Sequence, residues 1–116
     1  MAKLTTNQAE LIGKSKTKYI FPDIYAIGSE YPDESGIYAF TKRTKLASGG
    51  YSHHVIYIGL TESFKTRFSN HHKEKEILKE GANAVCLMPV KKATDRETFE
   101  KDLIAGLKPC CNEVHV

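Results

Sequence analysis

The sequence predicts an α+β domain: a small mixed β-sheet, built in the order β-β-α-β-α and flanked by helices. Three observations carry this. Residues 36–41 and 54–60 are runs of β-branched and aromatic residues separated by a polar connection. Two segments of good helix formers, 62–80 and 95–107, each end at a glycine or proline. Between them, residues 82–90 are nearly all apolar, as suits a strand buried on both faces.

Taken in order, residues 1–30 are the least patterned. Leu11, Ile12, Tyr19, Ile20, Ile24, Tyr25 and Ile27 follow no steady period, and Pro22 and Gly28 interrupt them. They read as an N-terminal extension packed on or flanking a domain that occupies 31–116. The two β runs read as a hairpin whose long connection, TKRTKLASGGYSH, holds Gly49, Gly50 and the pair His53 and His54. The helix over 62–80 stops at Gly81, where a left-handed cap favours glycine. Pro89 marks the end of the third strand or a bulge in it. The second helix opens with Thr94 and Glu97 at capping-box spacing and closes before Pro109.

Composition limits the function classes. The chain has 116 residues, 41% hydrophobic and 27% charged, which argues against disorder and for one domain. That length buries enough surface for a core without disulfide staples. No apolar run approaches the roughly 18 residues of a membrane span, and the first residues lack the apolar centre of a signal peptide. With three cysteines and no secretion signal, a cytoplasmic location is expected. Cys86 reads as a small core residue, and adjacent Cys110 and Cys111 lack the spacing of a closed zinc site. A zinc reading that joins Cys110, Cys111, His115 and the connection histidines is a distant third. Lys and Arg number 17 against 14 Asp and Glu, a net charge of +3 that permits a polyanion partner without demanding one.

Two helical stripes carry residues that packing alone does not call for. Phe64, Arg67, Phe68 and His71 share one face of the first helix, so the aromatics bring Arg67 and His71 to the edge of the core. Glu100, Leu103, Ile104 and Leu107 repeat that spacing on the second helix, which sets Glu100 on an apolar stripe. A carboxylate there needs a cation, a cluster of donors or a metal. The plain alternative is a snorkelling Arg67 with Glu100 as its salt-bridge partner. Glu97 is accounted for as the capping acid.

These residues resemble the GIY-YIG nuclease family. Gly36-Ile37-Tyr38 and Tyr57-Ile58-Gly59 look like the two halves of its signature. Arg67 with His71 four residues on is similar to the pattern of its following helix. Glu100 looks like its metal-binding glutamate, and Leu107 through Asn112 like its closing segment. The match runs from about Ser35 to Glu113. The resemblance implies a metal-dependent endonuclease acting on DNA, branched or nicked substrates included, with Mg²⁺ or Mn²⁺ held by Glu100. It implies catalytic roles for Tyr38, Tyr57, Arg67, His71, Glu100 and Asn112. Tyr38 or Tyr57 would orient or deprotonate the attacking water, with His71 assisting; Tyr38 is the preferred base and Asn112 a positioning residue.

Hydrolysis of a phosphodiester needs an activated water and relief of charge on the phosphate. One glutamate suffices for Mg²⁺, which keeps several waters, and a planar arginine suits non-bridging oxygens. Lys42, Arg43 and Lys45, in a stretch free of acids, are the best candidates for nucleic-acid contact, with His72 a lesser one. The lysines of the first helix alternate with glutamates and read as a solvated face. A separate recognition module has no room here, so specificity is expected from residues 1–30, the 42–54 connection, a homodimer or a partner protein. The competing reading is a catalytically inactive module of the same fold that binds nucleic acid or protein.

Overall fold

Alternation along residues 36–45 builds the centre of the molecule. In the computed structural model, which describes residues 3–5, 8–68 and 73–112, the elements are β1 (Lys3–Thr5), β2 (Ala9–Ile12), β3 (Lys18–Phe21), β4 (Asp23–Ala26), β5 (Gly36–Lys45), β6 (Tyr51–Thr61), α1 (Phe64–Arg67), α2 (Glu74–Lys79), β7 (Ala84–Pro89) and α3 (Ala93–Leu107). Ile37 and Ala39 of β5 point into one core and Tyr38 and Phe40 into the other. Strands β1-β4-β7-β5-β6 form one sheet in that order, and β2 with β3 forms a separate two-stranded ribbon. The fold is α+β, as expected. Every described pairing in it is antiparallel, however, so the expected mixed sheet is corrected. The cause is β7: it runs antiparallel to β5 on the side away from β6, so no parallel neighbours arise, and β4 extends the sheet antiparallel beside β7.

Residues 1–30 therefore contribute to the sheet itself. Ile24 pairs with Cys86 and Tyr25 with Val85. Their apolar residues obeyed no single period because they serve two sheets. The turn of the β2–β3 ribbon docks on α3 through Asp102, whose carboxylate accepts from the Ser15 amide at 2.9 Å, the Ser15 hydroxyl at 2.6 Å and the Tyr19 hydroxyl at 2.8 Å. Those bonds, the Ser15 hydroxyl foremost, hold the Asp102 carboxyl below its ordinary pKa. Gly13 and Gly106 permit the approach. A Cβ on Gly106 would stand 2.5 Å from the Lys14 nitrogen and 2.6 Å from the Gly13 carbonyl carbon. Replacing a helical glycine by alanine ordinarily stabilises by about 1 kcal/mol. Here Gly106→Ala is expected to destabilise, by about 1–3 kcal/mol, because backbone must move. Urea unfolding of the variant reads the sign.

The hairpin of β5 and β6 is longer than the sequence implied. The connection shrinks to residues 46–50, closed by the Leu46 amide on the Gly50 carbonyl at 2.8 Å and by Gly49 at φ +96°. Polar residues extend the ladder because cross-strand partners bind them. The Arg43 guanidinium lies 3.7 Å from the Tyr51 ring centroid, and Thr41 Oγ1 lies 2.8 Å from His53 Nδ1. His53 and His54 thus belong to a strand and not to a loop. Burial and the neighbouring Arg43 lower the His53 pKa.

The expected helix over 62–80 is replaced among the described residues by two short ones. Phe64, fully buried, anchors α1, and its amide bonds the Glu34 carbonyl at 2.9 Å. Helix α2 ends as expected: Gly81 has φ +98°, and the amides of Gly81 and Ala82 return to the carbonyls of Leu78 and Ile77. Helix α3 starts earlier than expected, with Lys92 at its N-cap and no side-chain cap, so the Thr94–Glu97 capping box does not form. Buried Arg96 instead ties this junction, donating to the carbonyls of Val90 at 2.9 Å and Lys91 at 2.8 Å.

The sheet separates two cores. The β2–β3 ribbon and Leu103 of α3 pack with Ile37, Ala39, Ile58 and Cys86 on one face. Phe64 of α1 and Ile77 of α2 pack with Tyr38, Phe40, Ile56 and Leu87 on the other. No helix among the described residues is long and apolar enough to cross a membrane.

Candidate active site

The two signature tripeptides face each other across the β5–β6 ladder. Tyr38 is opposite Gly59 and Phe40 opposite Tyr57, so Tyr38 and Tyr57 sit diagonally on one face. Their ring centroids lie 6.1 Å apart with planes 27° from parallel. Just beyond them the register skips Ile56, a bulge that turns both Ile56 and Tyr57 toward this face.

Both glycines of the signature make room for these neighbours. A Cβ on Gly59 would collide with the ring and hydroxyl of Tyr38. A Cβ on Gly36 would collide with the Met88 carbonyl and stand 2.7 Å from the tip of Phe64. Gly59 thus permits the Tyr38 ring to lie across β6, and Gly36 permits α1 to seat on β5. Neither glycine has positive φ; close approach is their reason.

Arg67 follows Phe64 by nearly one helical turn, which brings it back over the sheet. Its guanidinium carbon is 5.9 Å from the Tyr38 ring centroid, close enough for its charge to act on the Tyr38 phenol. Tyr38 in turn stacks against the Tyr57 ring, and the two phenols act on each other's ionisation. Burial is the main reason both phenols are held above their ordinary pKa of 10.0; the Arg67 charge offsets it in part for each. Tyr38 is only 1% exposed, whereas Tyr57 is half-buried.

Glu100 approaches from the opposite face. Leu103 anchors α3 in the other core, and Glu100, three residues earlier, reaches edge strand β6 at the Leu60 backbone. Its carboxyl is half-buried, and burial raises its pKa. The Leu60 hydrogen bond and Lys101 relieve this, and the Glu97 carboxylate one turn back opposes them. The Glu100 charge is felt at both Tyr38 and Tyr57.

Asn112 closes the arrangement. Its Oδ1 accepts from the Ile58 amide at 2.9 Å and its Nδ2 donates to the Ile58 carbonyl at 2.8 Å. The Cys111 amide bonds the Ile56 carbonyl at 3.1 Å. The chain after α3 therefore brackets Tyr57 from the free edge of the sheet, at the residues just before and after it.

Five of the six residues expected at the site, Tyr38, Tyr57, Arg67, Glu100 and Asn112, thus surround one edge of β6. His71, and His72 beside it, lie outside the described residues, as does His115 of the zinc reading. Among the described residues no three His, Cys, Asp or Glu side chains converge on a common metal position. The basic residues read as a loop cluster instead belong to β5, and they diverge: Arg43 is spent on Tyr51, whereas Lys42 lies along Gly81 at the end of α2.

Sequence reading missed Lys73. Placed on a solvated helical face, it is in fact the N-cap residue of α2, with a side chain 16% exposed, and its charge lowers the pKa of Tyr57. Its ammonium lies 3.8 Å from Glu76. In the sequence its alternation with Glu74 and Glu76 reads as a solvated face. Glu97 was also set aside as a cap it does not form. No family model, curated protein or solved structure matches the chain.

Proposed function

We propose that this chain is a metal-dependent endonuclease of the GIY-YIG type that hydrolyses DNA phosphodiester bonds. The observation that carries this reading is the contiguous series Tyr57–Tyr38–Arg67, rings 6.1 Å apart and the guanidinium 5.9 Å from the Tyr38 ring, with the Glu100 carboxylate acting on both phenols at one open sheet edge. A purely structural domain gains little by setting a half-buried carboxylate, a buried phenol and a half-buried one together.

A cation suits Glu100. Its carboxylate is desolvated, lies close to a second acid, and is only partly compensated by Leu60 and Lys101. Mg²⁺ or Mn²⁺ binds carboxylate oxygen and retains waters, so one such ligand serves. When bound there, the ion would relieve charge on the phosphate and acidify water.

The side chains divide the remaining work. Tyr57 is the partly exposed phenol, and Arg67 and Lys73 both lower its pKa against the effect of burial. It therefore orients the attacking water, in place of Tyr38, which the sequence favoured. Tyr38, buried and packed against Tyr57 and Arg67, positions both. Arg67 presents a fixed planar cation to the non-bridging phosphate oxygens. Asn112 fixes the backbone on both sides of Ile58 and so the lateral position of Tyr57. Specificity comes from a partner protein or a second copy, because Arg43 and Lys42 are turned to different neighbours, Tyr51 and Gly81.

Supercoiled plasmid incubated at low salt with Mg²⁺, with Mn²⁺ and with EDTA tests the reading. The expected result is open-circular product in both metals and none in EDTA. Open circles should precede linear DNA, since a single site cuts one strand at a time. Failure to cut plasmid, flaps or junctions in either metal would overturn the nuclease and leave a binding module.

A further inference from the structure

On the face of the sheet that carries the tyrosines, a cavity of about 650 Å³ opens between the turn after β4 and helices α1 and α2. Its size falls within the range of small-ligand and side-chain pockets. Tyr31, Phe40 and Phe68 give it an aromatic wall. These rings brace one another, with centroids 4.7 Å apart for Tyr31–Phe68 and 5.5 Å for Phe40–Phe68. The Tyr31 hydroxyl is already committed: it donates to the Ala26 carbonyl at 3.1 Å and accepts from the Gly28 amide at 3.2 Å. Tyr31 therefore offers an occupant its ring. Ile77 and Leu78 extend the apolar surface, and Leu78 is 45% exposed at the rim.

The charges at the mouth invert those of the chain. Glu30, Asp33 and Glu74 stand there against Lys65 alone, in a protein of net charge +3. Asp33 already accepts from the Ser63 hydroxyl. The Glu74 charge acts on the Tyr31 hydroxyl, which sets that carboxylate beside the aromatic wall.

The combination discriminates between occupants. A nucleobase would stack on the rings, but its phosphates would meet a rim of carboxylates. A neutral apolar ligand would desolvate those carboxylates without compensation. An organic cation on an alkyl stem satisfies both parts, with its charge over the ring faces and toward Glu30 and Glu74. A single amine fills little of the volume, and exposed Leu78 asks for an apolar neighbour to that cation.

We propose that this cavity receives a basic side chain, arginine or lysine with an adjacent apolar residue, presented by a peptide segment of a partner protein. The site is separate from Tyr57, Arg67 and Glu100, and the inference stands whether or not the chain cuts DNA.

Amide NMR of the full chain, titrated with four probes, tests it: a capped Gly-Arg-Leu-Gly peptide, its Gly-Glu-Leu-Gly counterpart, spermidine and deoxyadenosine monophosphate. The arginine peptide is expected to shift the amides of Gly28, Tyr31, Lys65, Glu74 and Leu78, and to bind less tightly as salt rises. Glu74→Gln and Glu30→Gln should each weaken it about threefold and Tyr31→Leu about tenfold. The two glutamate substitutions are at exposed positions and keep the test valid if Tyr31→Leu perturbs the fold. Absence of shifts at these amides would overturn the proposal, as would equal shifts from the glutamate peptide or the nucleotide. Spermidine binding as tightly as the arginine peptide would overturn the peptide as occupant.

Discussion

Glu100→Gln is expected to abolish cleavage and, at the same time, to stabilise the folded chain in the absence of metal. The two effects share one origin. Burial holds the Glu100 carboxyl above its ordinary value of 4.5. Between 4.5 and that raised value the folded chain keeps a proton that the unfolded chain has lost. Stability therefore falls as pH rises through this window, and the whole deficit is present above it. Glutamine carries no charge, so the variant should unfold later than wild type at neutral pH, with the difference vanishing below 4.5. Mg²⁺ should raise the unfolding midpoint of wild type and leave the variant unmoved, because only a ligand that binds the folded state stabilises it. Cleavage should drop by more than the roughly 10–100-fold that loss of an outer partner of a metal site costs. Thermal unfolding across pH, with and without Mg²⁺, is read beside plasmid nicking. A variant that still nicks, or that is less stable than wild type at neutral pH, would make Glu100 a structural partner and remove it from the site.

The legible parts of the sequence were those where local chemistry and tertiary role coincide. Gly81 ends α2 in the left-handed conformation that only its missing Cβ allows at low cost, and residues 84–87 are fully buried in a strand with partners on both sides. Arg67 returns over the sheet because Phe64, three residues earlier, is driven into the core. What escaped was set by distant partners. The strands before residue 27 take their order from pairing with β7 and from Asp102 of α3, and neither is visible in a local period. The ribbon around Arg43 and His53 is a strand pair because Tyr51 and Thr41 bind those side chains across it, while its polarity argued for a loop. Lys73 was misplaced because its alternation with glutamates read as a solvated face, while it stands at the N-cap of α2.

The signature tripeptides have a physical meaning that the motif alone does not state, and it yields the second large effect. Gly59→Ala should dismantle the site by displacing Tyr38. The new methyl would collide with the Tyr38 ring and hydroxyl, and Tyr38 is buried among Phe40, Tyr57 and Phe68. Neither partner has free space, so overpacking should cost about 1–3 kcal/mol of stability. The loss of activity should be larger than that figure implies, since the Tyr38 ring stands between Arg67 and Tyr57 and its displacement disturbs both contacts at once. A double-mutant cycle separates this cause from a general intolerance of β6 to side chains. In a Tyr38→Leu background, whose shorter side chain does not extend over residue 59, Gly59→Ala should cost less than about 0.5 kcal/mol, the limit for independent sites. Urea unfolding of the four chains gives the coupling. An unchanged cost in the leucine background would mean that Gly59 answers to the backbone and not to Tyr38, and the pairing of the two tripeptides would lose its explanation.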